Sequence, residues 1–322
     1  MRRVTTTVLL ALAGLLPLST PAHADEVVVV PGTSFPSGDT YLSWFGCDDL
    51  FTPAVGGPRA TIGLEEAAPL GARATRLALA GGGTASGPVG RVGSVADATW
   101  SWWVRPVSGG QGVAHVWYVS SELEDGEVWV GRADLGATAG SWQQVEPAAA
   151  TFTWTRHVAA TGESLGSEGA ATVDAFTAEH GDGPGYLLSG FGCDGAGFAV
   201  DAISVGDPGS VTTYDLEGVP VTTTIGASAD RVAEGAEVVL TGSTIDSGQR
   251  ATGAPLRLEA RPEGAADFAP VREVDPAGPD GRVVATVSPG RTTAYRWFMP
   301  ATGYADATWS PAVEVRVTRQ GD

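Results

Sequence analysis

Two carboxylates stand two positions apart in Glu122-Leu123-Glu124-Asp125-Gly126-Glu127. On a strand that spacing puts Glu122 and Glu124 on one face about 7 Å apart, within reach of the two-carboxylate chemistry that cleaves glycosidic bonds. Asp125-Gly126 interrupts the strand where a third acid would follow, so a solvated hairpin tip is the competing reading. Gly162-Glu163-Ser164-Leu165-Gly166 has the spacing of a serine-hydrolase elbow, which works at a strand-to-helix turn of a parallel sheet with a histidine in reach. The surroundings here read as antiparallel and glycine-rich, and the histidine that follows is His180, so a loop before a helix is expected. His115, His157 and His180 form no i, i+4 pair and no zinc triad. The chain has neither lysine nor asparagine, which rules out a Walker lysine, a pyridoxal Schiff base and N-glycosylation.

A second set of acids, Asp48, Asp49, Asp194 and Asp201, flanks the two cysteines. Hard carboxylate oxygens at a loop junction suit a structural calcium; the alternative is that each acid caps a turn. Eight of the ten tryptophans precede residue 219, and their alternation suggests a binding face. In Ala98 to Arg105, Ala98, Trp100, Trp102 and Val104 share one side, leaving Trp103 and Arg105 on the other. The same logic turns Val128 and Val130 to the core and Trp129 outward. On the paired strand, alternation leaves open whether Trp117 with His115, or Tyr118, faces out. Flat aromatic faces flanked by arginine and acids suit stacking on sugar rings; the alternative is that they are covered, as large aromatics usually are. The ligand candidates are therefore Trp103, Arg105, Trp117, Tyr118 and Trp129, for an extracellular polysaccharide or cell-wall glycan.

Residues 1–24 read as a secretory signal: Arg2-Arg3, an apolar run from Val8 to Leu18, and Ala22-His23-Ala24 before the cut. Val4-Thr5-Thr6 does not continue a twin-arginine signal, which favours the general route. No later run has the ~20 apolar residues of a membrane span, so an extracellular protein, free or surface-associated, is expected. Export also bears on Cys47 and Cys193, which sit in near-identical contexts, Phe45-Gly46-Cys47-Asp48 and Phe191-Gly192-Cys193-Asp194. Two cysteines in an oxidising compartment are expected to pair. The formal net charge is −18. Residues 25–218 hold 7 arginines against 24 acids, and residues 219–322 hold 10 against 13. A field of this sign argues against nucleic acid as partner, and its step near residue 218 marks a seam.

The elements that must position these residues are strands. From Asp25 onward the apolar period is two, punctuated by Gly, Pro and Asp. Strands are expected at 41–45, 75–79, 98–104, 113–120, 127–133, 142–145, 151–156, 186–191, 197–205 and 211–214, with one short helix over 171–180 ended by Gly181. The expected organisation is a signal at 1–24, a β-sandwich at 25–217, a linker at 218–220 and a second sandwich at 221–322.

Gly197-Phe198-Ala199-Val200-Asp201-Ala202-Ile203-Ser204-Val205 resembles the closing strand of the jelly-roll carbohydrate-binding and galactose-binding-like modules of secreted bacterial proteins. The resemblance covers about residues 25–215 and implies a jelly-roll β-sandwich; such modules often hold a structural calcium. Gly235–Gly242, Ala254–Pro262, Gly281–Val287, Thr292–Phe298 and Ser310–Val317 resemble successive strands of a bacterial immunoglobulin-like domain. Val238 and Leu240 oppose Val239 and Thr241, Leu256 pairs with Leu258, and Val313, Val315 and Val317 share a face. That likeness implies a spacer or adhesive module without catalytic residues. The expectation is thus an all-β chain, a jelly-roll β-sandwich with one short helix followed by an immunoglobulin-like β-sandwich. Its leading role is non-catalytic binding or adhesion; glycan cleavage by Glu122 and Glu124, or a purely structural surface role, are the alternatives.

Overall fold

A computed structural model describes residues 26–52, 56–246, 249–273 and 277–318; the secretory signal expected over 1–24 lies outside the described residues. The first fourteen strands are β1 (Glu26–Pro31), β2 (Thr40–Gly46), β3 (Arg59–Leu64), β4 (Arg73–Ala78), β5 (Thr84–Val92), β6 (Thr99–Pro106) and β7 (Gln111–Tyr118). They continue with β8 (Glu127–Gly136), β9 (Gln143–Val145), β10 (Phe152–Val158), β11 (Ser164–Ala171), β12 (Gly185–Phe191), β13 (Phe198–Gly206) and β14 (Thr212–Glu217). Sheet I runs β11-β10-β8-β7-β12-β5-β2 and is antiparallel throughout. Sheet II is organised around β13. One edge of β13 pairs with β6, while the other is shared, Phe198–Val200 with β4 and Ile203–Val205 with β14.

Asp201 sits where β13 changes partner, beside Ala202 at φ +49°. Its side chain is wholly buried. One oxygen accepts the Leu70 N–H (3.0 Å) and the other the Leu216 N–H (3.1 Å), so the carboxyl joins the loop before β4 to β14. A buried polar group is tolerated when it is hydrogen-bonded in this way.

The two sheets enclose one core. Trp100, Trp102 and Val104 point into it as alternation on β6 predicts, and the Trp102 indole donates to Ser189 Oγ at 2.8 Å. The single expected helix is α1 (Val173–His180), capped by Thr172, whose hydroxyl accepts the Ala175 N–H, and ended at Gly181, φ +82°. Phe176 stacks on Trp154 with centroids 4.1 Å apart and planes 3° from parallel, and lies edge-on to Trp129 at 5.2 Å. Rings of this size dominate core energetics.

All ten expected strands of this part exist, with ends shifted by a few residues. β1, β3, β5 and β11 were not expected. β5 reads as a loop because Gly87, Pro88 and Gly90 interrupt it. Pro88 nevertheless fits, because pairing with β12 is broken between Val89 and Ser86, where a missing N–H costs no ladder bond. A Cβ on Gly87 would run into the Ser189 carbonyl.

The remaining strands are β15 (Val221–Ala227), β16 (Arg231–Ala233), β17 (Val238–Asp246), β18 (Gln249–Arg250), β19 (Arg257–Pro262), β20 (Ala269–Glu273), β21 (Val283–Val287), β22 (Thr293–Met299), β23 (Thr308–Trp309) and β24 (Val313–Thr318). They form sheets of four and six strands around a separate core containing Val238, Leu240, Leu256, Leu258, Tyr295, Trp297 and Val315. The alternation expected of this sandwich holds. Arg73 of β4 joins the two: its buried guanidinium meets Glu217 Oε2 at 2.9 Å and Asp306 Oδ1 at 2.5 Å, and donates to the carbonyls of Thr302 and Ala305.

Candidate functional site

The register of sheet I decides which side chains share its outer face, since directly opposed residues project to the same side. One row across the sheet is Thr153, Arg132, His115, Leu188, Val89 and Tyr41. The next is Thr155, Val130, Trp117, Tyr186 and Arg91. In the first row Leu188, Val89 and Tyr41 are at one end and the polar Thr153, Arg132 and His115 at the other. At the polar end a cavity of about 300 Å³ is lined by Asp48, Asp49, Leu50, His115, Val130, Arg132, Thr153, Thr155, His157 and Ser164.

The disulfide places the roof of that cavity. Cys47 follows β2 and Cys193 follows β12, and they are bonded as expected. Gly83, between them, accepts the Cys47 N–H and donates to the Cys193 carbonyl. The chain leaving Cys47 then folds over sheet I. Asp49 caps this turn, accepting the Phe51 N–H (3.0 Å) and the Thr52 hydroxyl (2.8 Å). Burial would raise the Asp49 carboxyl, but these hydrogen bonds and the nearby histidines outweigh it and hold it below its usual range. The Phe51 ring lies on His157 at 4.9 Å.

Below the roof, His115 is 1% exposed. Its Nε2 is 3.2 Å from the Gly46 carbonyl, and its Nδ1 has no partner. Burial pushes its pKa down to about 4, so the ring is neutral at ordinary pH. Arg132 donates through Nε to the Cys47 carbonyl (2.8 Å) and through Nη2 to Asp134 (2.7 Å), with Asp48 4.0 Å away. His157 Nδ1 lies 3.0 Å from the Gly162 carbonyl. Beside the cavity, Trp117 and Tyr186 are half-buried and meet edge to face at 5.7 Å.

The expected site residues do not converge. Trp117 is on this outer face with His115, which settles the choice that alternation left open. Tyr118 is on the other side of the strand, wholly buried, with its hydroxyl 3.2 Å from the Gly181 carbonyl. Trp129 is also a core residue, 2% exposed. It opposes Tyr118 and is covered by α1, so the outward face of β8 belongs to Val128, Val130 and Arg132. Trp103 and Arg105 lie on β6 of the other sheet. Trp103 is half-buried opposite Asp201 and Gln144. Arg105 is ion-paired to Glu65, which also binds Arg76, and sits over the Trp142 ring at 5.4 Å.

The four aspartates offered for calcium do not converge either. Among the described residues no three His, Cys, Asp or Glu side chains are grouped to hold a metal ion. Asp48 is exposed, Asp49 caps its own turn, Asp194 accepts backbone N–H groups of Gly110 and Ala196, and Asp201 is buried at the β13 switch. Glu122 and Glu124 are on the connection between β7 and β8, outside any strand, and Glu122 is paired with His180 at 3.1 Å. Ser164 opens β11 directly opposite His157. It occupies no strand-to-helix elbow, and His157 Nδ1 is engaged by the Gly162 carbonyl.

A larger cavity of about 630 Å³ lies in the second sandwich, between Arg231, Arg261, Arg316, Glu263 and Glu314. These side chains are all exposed, and among the described residues lining it no polar side chain is buried. Among the described residues no helix is long and apolar enough to cross a membrane.

The fold and cavity define an all-β protein of two sandwiches whose first carries a roofed polar groove on a sheet face. The sequence matches no family model and is similar to no curated protein. Solved structures give weak likenesses. The Escherichia coli adhesin FdeC is 14% identical over 64% of this chain, with a TM-score of 0.24, and the chain spans 63% of that structure's length. Murine CEACAM1b is 12% identical over 61% of this chain and 94% of its own (TM-score 0.23). The D00-D0 domain of intimin is 12% identical over 65% and 93% (TM-score 0.21). TM-scores this low establish no shared fold.

Proposed function

We propose that this chain is an exported, non-catalytic binding protein that holds an extracellular glycan on the outer face of sheet I, with the second sandwich as spacer or second contact. The observation that carries this reading is the cavity itself. Hydroxyls of Thr153, Thr155 and Ser164, an unpartnered imidazole nitrogen and two carboxylates surround about 300 Å³ beside the half-exposed Trp117 and Tyr186. Sugars present apolar ring faces and many hydroxyls, which matches aromatic edges next to mixed donors and acceptors. The jelly-roll resemblance of residues 25–215 supports the same reading, and the signal and disulfide support export.

The test is binding of the mature chain to a panel of bacterial and plant polysaccharides, by affinity electrophoresis and then calorimetry. Thr155→Arg, which fills the cavity, and Trp117→Ala are expected to weaken binding at least tenfold, while Trp103→Ala on the opposite sheet leaves it unchanged. Binding that is lost with Trp103→Ala and retained with Thr155→Arg would move the site to sheet II.

A further inference from the structure

We infer that the groove on sheet I selects an uncharged, hydroxyl-rich glycan that donates a hydrogen bond to His115 Nδ1, and that it rejects carboxylated and sulfated glycans. This rests on the proposed function above and specifies its ligand class.

A carbonyl only accepts, so the His115 Nε2 facing Gly46 O carries the proton. Its Nδ1 is then a bare lone pair, on a side chain 1% exposed and lining the cavity. A buried acceptor without a donor is unfavourable, so a ligand that supplies one gains there. His157 turns its Nδ1 to Gly162 O, a carbonyl that only accepts, so that nitrogen carries a proton already used within the protein. Asp48 and Asp49 accept only. The strong donor is Arg132, and Cys47 O and Asp134 already occupy its Nε and Nη2. Arg132 Nη1 and the hydroxyls of Thr153, Thr155 and Ser164 remain as donors, but each hydroxyl also accepts, and with the His115 lone pair and the two carboxylates the wall offers more lone pairs than protons, which a sugar hydroxyl supplies.

Charge points the same way. Arg132 is the one fixed cation among the side chains lining the cavity, against Asp48 and Asp49, with Asp134 bound to it. An anionic ligand would meet net negative charge within a few ångströms, with the −18 of the whole chain behind it.

The test titrates the mature chain with two groups of probes of matched length. One is neutral (cello-, xylo-, manno- and laminari-hexaose), and the other is charged (hexagalacturonate and a sulfated galactan hexasaccharide). At least one neutral probe is expected to bind tenfold or more tighter than either charged probe. His115→Gln, whose amide can still donate to Gly46 O, is expected to weaken that neutral probe at least tenfold without moving the melting temperature. Asp48→Arg, at a fully exposed side chain, is expected to raise affinity for hexagalacturonate about fivefold or more at unchanged stability. A charged probe binding as tightly as the best neutral one, neutral binding that survives His115→Gln, or no gain in Asp48→Arg would each overturn the inference and leave the glycan reading standing. Absence of binding to every probe would overturn both.

Discussion

The disulfide between Cys47 and Cys193 provides the sharpest quantitative test of this architecture. The two residues are 146 positions apart, and closing a loop of that length restricts the unfolded chain by about 5 kcal/mol in the chain-entropy model. For a domain of 150–250 residues each kcal/mol moves the melting temperature by roughly 2–4 °C, so removing the bond is expected to lower it by about 10–20 °C. Packing adds a smaller contribution, because Cys47 is 5% exposed and touches the apolar cluster of Phe45, Val89 and Val113. The double variant Cys47→Ala, Cys193→Ala keeps an apolar side chain there and isolates the loop effect. Calorimetry of this variant, and of the wild type with and without reductant, measures the shift. The second transition, from the separate core around Trp297, should not move. A double variant melting within about 3 °C of wild type would refute the assignment of the staple as the main constraint on the unfolded chain. The roof over the groove begins at Cys47, so the same variant is expected to lose ligand affinity even at temperatures where it stays folded.

Two further outcomes follow from the charges at the sheet II junction. Burial raises the Asp201 pKa to about 7, so between roughly pH 4 and 7 the folded chain holds a proton that the unfolded chain has released. Stability from this group is complete below the unfolded value and is lost as pH rises through about 7, by up to about 1.4 kcal/mol per unit. Asp201→Asn is expected to flatten the fall in melting temperature between about pH 4 and 7; an unchanged slope would assign it to other groups. Arg73→Ala leaves the half-buried Glu217 and the Thr302 and Ala305 carbonyls without the guanidinium and is expected to cost about 3 kcal/mol and to broaden the distribution of shapes seen by small-angle scattering. Asp306→Ala removes a partner whose side chain is 77% exposed and is expected to cost less than about 1 kcal/mol; equal effects from the two variants would contradict this division.

Much of the fold is legible in the chain itself. Period-two alternation identifies Trp100, Trp102 and Val104 as inward, and the apolar spacing ended by Gly181 places α1 within two residues of its observed start. The errors arise where that periodicity carries no information. In β8, Val128, Trp129 and Val130 are all buried, because the core and α1 cover one face while the groove and its roof cover the other. A strand buried on both sides does not reveal which side is the core. Choosing the wrong parity turned Trp129 outward and hid Arg132, the residue that ties the roof to the sheet. The Arg-x-Asp alternation of Arg132 and Asp134 was the available signal. β5 is not legible as a strand because its glycines and proline are there for close backbone approach, a reason visible only when β12 and β2 lie beside it.

The sequence alone determines an all-β chain with a low net charge in its second part, one short helix, and a cysteine pair whose contexts and expected export join them. Those properties follow from local pattern and composition. Which face of each strand is wet is a property of pairing register. So is the meeting of Asp48 and Asp49 with His115, Arg132, Thr155 and His157, which come from three strands lying roughly 65 to 110 residues further along the chain. Only the closed sandwich, with its disulfide holding the roof in place, brings those groups around one cavity.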